Sequence, residues 1–354
     1  MEVVIANENF ERIGIIDNAE VIWTSRYYKT GDFELSMAVT EDRLNLIKNG
    51  FYVIKDDDED NIGVIEDFHI VNTQEDGDQI VVTGNFASGY YLTGRVISQQ
   101  TQMSGNVQSS IRGLVSNNIT NPVDTNRQIP FIELGAIDDS ITETLEMQTT
   151  GENLLTKVEE TSKAIGIGFK MPLRRKKLYF EMYKGINRSY SQNENPWIIF
   201  SDDYDNLKGC EYIKTTSKRT NFAYVAGEGE GVDRKIVGAF NTSEEPIGAA
   251  RREIWVDKRN VSSNNNDITE AELENQMIEE GIESLTGISE AFTGEVSLNN
   301  YKYGKPENGG DFYMGDIVTI QKKKWNGLYI NARIIEAIEN ENQSGKTVLL
   351  TFGI

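Results

Sequence analysis

The chain has 354 residues, more than one ordinary domain holds and enough for two or three that each bury a core. With 38% apolar and 26% charged residues it reads as a soluble globular protein, with no run of the roughly 18 apolar residues that a membrane helix requires. Its formal charge of −21 argues against functions built on gripping phosphate, since nucleic-acid affinity comes largely from Lys and Arg displacing counterions.

Cys210 is the only cysteine and His69 the only histidine. Disulfide frameworks and Cys/His zinc sites are thereby excluded. A Ser-His-Asp triad would have to use His69, which lies in the alternating run IEDFHIVN and reads as a half-exposed strand residue. The N-terminus, MEVVIANENFERIGIID, carries acids and no long apolar run, so it does not read as a secretory signal and folding in the cytoplasm is expected.

From Val3 to about Val96 the signal is β. RIGIID, EVIWTSRYY, DFELSMAV, FYVIKD, IGVIEDFHIV and DQIVVTGN are short and rich in Val, Ile, Tyr and Phe, separated by the clusters KTGD, DDDEDN and EDGD. Strands at this spacing predict a closed or nearly closed antiparallel barrel or sandwich, and residues 1–99 are expected to form a first β-barrel. Within it WTSRYYKTGDFELSMAV reads as one hairpin. Trp23, Arg26 and Tyr28 run out, Phe33, Leu35 and Met37 return with period two, and TGDF is the turn, with Gly31 supplying backbone freedom.

Helical spacing takes over from about Ile97. Val107, Ile111, Leu114 and Val115 predict one helix, and Leu154, Leu155, Val158 and Ile165 a second. GFKM and KKLYFEMYKG follow as a strand pair joined through PLRRK, so residues 100–196 read as an α+β connecting domain that ends in the polar link INRSYSQNENP.

β signals return from Trp197 onward in WIIFS, CEYIKTTSKR, NFAYVAGEGEG, KIVGAF, REIWVD, FTGEVSL, GDIVTI, YINARIIEAIE and TVLLTFGI. Residues 197–354 are expected to form a second β-barrel with a helical insertion around 241–290. There Ile268, Leu273, Met277, Ile278, Ile282 and Leu285 make an amphipathic stripe that Asp267 or Thr269 caps. The predicted class is mainly β with α+β elements.

Several motifs imitate sites. Asp56, Asp58 and Asp60 have calcium-loop spacing, but Asn61 stands where Gly is required and strands flank the run, so it reads as a solvated hairpin tip. AGEGEGVDR would repel phosphate through Glu228 and Glu230, and QSGKT has Asn340 where a P-loop needs its first Gly; both read as turns. A glycosidase carboxylate pair would need a separation that sequence does not reveal.

Other phrases carry a family resemblance: IIDNAEVIWTSRYYKTGDFEL near the front, NFAYVAGEGEGVDR with ARREIWVDKRNVS in the middle, and GGDFYMGDIVTI, ARIIEAIE and TFGI at the end. In order and spacing they resemble the tail-associated hub (Tal) proteins of long-tailed siphophages, which are related to the baseplate hubs of contractile tails. The resemblance implies two β-barrels joined by small α/β domains. Three copies would form a homotrimeric ring, seated on the distal tail protein ring and touching the tape measure protein, that opens for DNA. It implies a virion structural protein at the tail tip with no cofactor and no catalytic role, and receptor-binding or fibre proteins as further neighbours. The chain stops at TVLLTFGI, so no appended enzyme is expected, and TGDF and GGDF are expected to be hairpin turns of the two barrels. The negative charge suits a conduit past which DNA slides.

Under this reading Trp23, Tyr27, Phe33 and Leu35 are candidates for barrel packing or the subunit seam. Arg251, Arg252, Asp257 and Arg259 are candidates for inter-subunit ion pairs, the bland alternative being a strand edge protected by charge. Other readings are the hub of a contractile phage or bacteriocin-like particle, a glycan hydrolase, and a receptor-binding module.

Overall fold

The computed structural model describes residues 2–73, 77–262, 268–287 and 289–354. In chain order the first part holds β1 (Val3–Ala6), β2 (Arg12–Ile16), β3 (Glu20–Arg26), β4 (Asp32–Ala38), α1 (Glu41–Leu46), β5 (Tyr52–Lys55), β6 (Gly63–Val64), β7 (Asp67–Thr73), β8 (Gly77–Asn85) and α2 (Ala87–Thr93). The middle holds β9 (Thr101–Asn106), α3 (Val107–Val115), β10 (Ile132–Leu134), β11 (Thr144–Thr149), α4 (Leu154–Ile165), β12 (Gly168–Lys170), β13 (Leu173–Arg174) and β14 (Lys177–Tyr183). The last part holds β15 (Ile199–Ser201), β16 (Leu207–Thr215), β17 (Phe222–Ala226), β18 (Ile236–Ala239), β19 (Glu253–Asp257), α5 (Glu270–Ser284), β20 (Ser289–Val296), β21 (Ile317–Lys322), β22 (Leu328–Asn342) and β23 (Gly345–Gly353).

The expected hairpin is β3 and β4, with Trp23 opposite Phe33 and Val21 opposite Leu35. The alternation buries Phe33, Leu35 and Met37 and leaves Glu34 and Ala38 exposed. Gly31 is required for a different reason from turn freedom: a Cβ there would strike the Thr24 carbonyl oxygen and the Phe86 ring. GGDF is not a hairpin turn. Gly309, at φ +82°, closes a short 3-10 turn at Pro306–Asn308, and Phe312 forms an isolated parallel bridge with Tyr303.

No closed barrel forms among the described residues. The strands expected in two barrels share one ten-stranded sheet whose path runs β16-β20-β23-β22-β3-β4-β8-β7, with β21 on β22 and β15 on β21. β22 is the reason. Its first half pairs with β21, a bulge at Ile335 shifts its register against β23, and its second half pairs antiparallel with β3, Glu336 opposite Arg26 through Glu341 opposite Val21. An edge that would close the first half on itself is therefore occupied by the second half.

One face of this sheet is packed. The sheet β2-β1-β5-β6 lies against the first half around Val3, Ile5, Ile16, Trp23, Phe33 and Leu35. The second half surrounds Phe200, Phe292, Phe312, Ile334, Leu350 and Phe352. The middle part buries α3 and α4 on β14 through Ile111, Leu114, Leu154, Val158, Leu178 and Phe180. A fourth, small core joins α5 to the three-stranded sheet β18-β17-β19 through Ala223, Val225, Val256, Leu273 and Met277. Thr269 caps α5 in a capping box with Glu272; Asp267 lies outside the described residues.

Candidate functional site: a buried junction and an open sheet

All four aromatic and aliphatic candidates of the hairpin are inside the chain: Trp23, Tyr27, Phe33 and Leu35 are each 2% exposed or less. Trp23 packs against Phe86 at 4.6 Å between ring centroids and donates its indole N–H to Asp58 at 2.7 Å. Tyr27 is where the three parts meet. Its hydroxyl donates to the Gly166 carbonyl at 3.2 Å and accepts from the Gly185 N–H at 3.0 Å. Its ring lies so close to Gly168 and Gly315 that a Cβ on either would overlap it, and burial pushes the phenol up to about 12.

Beside it lies a feature that sequence reasoning misread. The loop after β5 is the expected tip of the β5–β6 hairpin, with Asp56, Asp57 and Glu59 exposed, but its last acid is not solvated: Asp60 is 1% exposed. Its carboxylate receives Lys170 of β12 at 2.9 Å, the Tyr313 hydroxyl at 2.6 Å, and Lys305. Burial alone would raise the Asp60 pKa; Lys170, Lys305 and Tyr313 outweigh it and hold the carboxyl below its ordinary value. Asp58, facing Trp23 and Asn61 with less cationic help, is pushed up by burial. Asp57 receives Lys346 at 2.7 Å, and the fully buried Lys55 reaches Glu339 at 3.2 Å. One acidic loop thus ties residues from all three parts. The signal was present as a run of acids, but the lysines that claim it stand far away in sequence.

The charged candidates sit on β19 and the segments flanking it. Arg251 lies over the Phe222 ring at 3.4 Å to its centroid and pairs with Glu253 at 2.8 Å and with Glu245. Asp257 pairs with Arg234, and with Arg259 at 3.4 Å. Those partners belong to the same chain. The exposed Arg252 has its backbone N–H on Asn221, and its guanidinium has no ion pair among the described residues.

The long sheet leaves its other face open. Register places Glu20, Asp32, Glu34, Asp67, Glu211, Glu295 and Glu336 on that face over the stretch where β22 pairs with β3, against only Arg26 and Lys208. Arg26 is itself paired with Asp32, and with Glu336 at 2.7 Å. Thr83, Thr293, Thr347 and Thr351 fill positions between. The exposed His69 stands on the same face, on β7. Both ends of the strand path, β7 and β16, are edges with no further strand beside them among the described residues.

Among the described residues no group of three or more His, Cys, Asp or Glu is placed to hold a metal ion. No protein of reviewed function matches the chain in sequence. Solved structures match along its whole length. The tail protein from Neisseria meningitidis MC58 aligns with a TM-score of 0.58 at 13% identity, over 99% of this chain and 96% of its own. The 43 kDa tail protein of prophage MuSo2 from Shewanella oneidensis gives 0.54 at 12%, over 99% and 98%. Prophage tail protein gp18 from Listeria monocytogenes EGD-e gives 0.51 at 11%, over 99% and 94%. At these identities the likeness establishes a shared tail-protein fold. The family described as Siphovirus ReqiPepy6 Gp37-like protein matches residues 2–354, and this chain belongs to that family of siphovirus tail proteins.

Proposed function

We propose that this protein is the hub at the distal tip of a phage tail, three copies closing into a ring through which DNA leaves. The observation that carries the reading is the open sheet: an eight-strand path with a free edge at each end, one packed face and one bare acidic face. Each half of that path supplies four strands, β16-β20-β23-β22 and β3-β4-β8-β7, so the chain offers two similar blocks where a sixfold tube has two subunits. These halves are what the two-barrel expectation becomes, with residues 100–196 as the spacer between them.

Joining β7 of one copy to β16 of the next in a threefold ring satisfies both edges at once. Such a heterologous contact closes if its rotation is a third of a turn. Three paths of eight strands make twenty-four. At a spacing of about 4.8 Å and a tilt of about 40° the backbone circle is roughly 45–50 Å across, room for a duplex. The bare face then lines the bore, and its carboxylates and threonines repel or ignore a passing polyanion where lysines would hold it. The packed side faces outward; a distal tail ring above the ring and a tape measure tip within its bore are the expected neighbours. No catalytic role is proposed.

Light scattering behind size exclusion, over a range of concentrations, tests the reading. A mass of three times 39.9 kDa, or a monomer moving toward it with concentration, supports the ring. A dimer as the end state would overturn it.

A further inference from the structure

The small sheet β18-β17-β19 is covered by α5 on one face only. On its other face register sets Trp255 beside Tyr224, while Phe222, next along β17, is buried beneath Arg251. Trp255 is 55% exposed and Ile236, on the same face by register, 48%. An apolar face of this kind, rimmed by charge, marks an interaction surface.

β19 is also a strand edge with open backbone groups. It pairs in parallel with β17 alone, and the Arg252 carbonyl accepts from Phe222 while the Lys258 N–H donates to the Ala226 carbonyl. Alternation along a parallel ladder turns the peptide groups of Ile254 and Val256 the same way, so those of Glu253, Trp255 and Asp257 point to the free side. That edge is long enough to take an added strand.

The charge around it runs against the rest of the molecule. Residues 214–260 hold nine Lys and Arg against seven Asp and Glu, whereas the whole chain holds 35 against 56. Arg219, Arg251 and Arg252 converge with Gly248 and Glu253 on one concavity beside the β19 entrance. Arg251 has its carboxylates in Glu245 and Glu253; Arg219 and Arg252 have no ion pair among the described residues. Two guanidiniums with no ion pair among the described residues, at the start of an open strand, match carboxylates on an extended chain.

We propose that β19 and the Arg219–Arg252 concavity form a docking site for an acidic, extended segment of a partner protein, which adds as a strand beside β19. Its apolar side chains lie on Trp255 and its carboxylates reach Arg219 and Arg252. The site stands on the small sheet alone and does not depend on ring formation.

The test uses the full chain and a fluorescein-labelled peptide of alternating Val and Glu, with the Val and Lys version and a labelled DNA duplex as controls. Anisotropy should rise with the acidic peptide only, and Trp255→Phe should remove a peptide-dependent change in tryptophan emission. Arg219→Ala with Arg252→Ala should weaken binding about tenfold, the worth of two exposed ion pairs. Neither residue has an ion pair among the described residues, so this variant should keep the wild-type unfolding midpoint. Equal binding of both peptides, binding of the DNA in place of the acidic peptide, or binding that the double variant leaves unchanged would each overturn the proposal.

Discussion

Tyr27 makes the sharpest prediction, because its ring and hydroxyl serve different partners. Tyr27→Phe keeps the ring between Gly168 and Gly315 and removes the oxygen that donates to Gly166 and accepts from Gly185. Two hydrogen bonds at about 1 kcal/mol each, with the half-buried Gly185 N–H left without its partner, give a loss of about 2–3 kcal/mol. Gly315→Ala attacks the ring's seat. Its φ of +90° disfavours a side chain, which costs about 1 kcal/mol, and its Cβ would overlap the Tyr27 ring. Tyr27→Ala empties the site at a cost of about 3–5 kcal/mol. Once the ring is gone, Gly315→Ala should cost only its backbone strain. A double-mutant cycle followed by urea unfolding should therefore give a coupling above about 1 kcal/mol. Additivity within about 0.5 kcal/mol would refute the junction as described.

The carboxylates should split by sign. Asp60, held below its ordinary pKa, contributes stability that is present above that ordinary value and is lost as pH falls through its folded pKa; Asp60→Asn should lower the urea midpoint at pH 7 and flatten the acid limb. Glu283, pushed up mainly by burial against the help of Lys157, has the opposite sign, its share being lost as pH rises through its raised folded pKa. Glu283→Gln should therefore gain on wild type as pH rises, with Lys157 still paired to Glu280 at 3.2 Å; a relative loss on raising pH would contradict this. Gly31→Ala should cost about 1–3 kcal/mol by overpacking against Thr24 and Phe86, visible as a lower thermal midpoint. Trp23→Phe should cost about 1.5–3 kcal/mol by leaving Asp58 short of a donor, with circular dichroism unchanged.

What the sequence discloses here is local. β4 was legible because Phe33, Leu35 and Met37 repeat with period two, and α5 because its stripe and the Thr269–Glu272 box repeat with helical spacing. Pairing was not. Nothing local distinguishes a β22 that closes its own barrel from one that reaches β3, 310 residues away between Arg26 and Glu336. The same holds for the acidic loop. Asp56–Asp60 reads as a solvated turn until Lys170, Lys305 and Lys346 are brought to it, because burial of a carboxylate is decided by its partners. The bare acidic face needed register across eight strands before its carboxylates fell on one side, and net charge alone does not supply that.

The central claim is that β7 of one copy meets β16 of another in a closed ring. The most direct measurement is cross-linking of a variant carrying His69→Cys and Ile213→Cys on the bare face, with the native Cys210→Ser, using a short bismaleimide. The two strands lie at opposite ends of one chain's path, so a link between neighbouring strands joins different copies. The account predicts a ladder that stops at three chains, with either single-cysteine variant leaving monomer or dimer. A ladder running past three, or none at concentrations where the protein is trimeric, would contradict it.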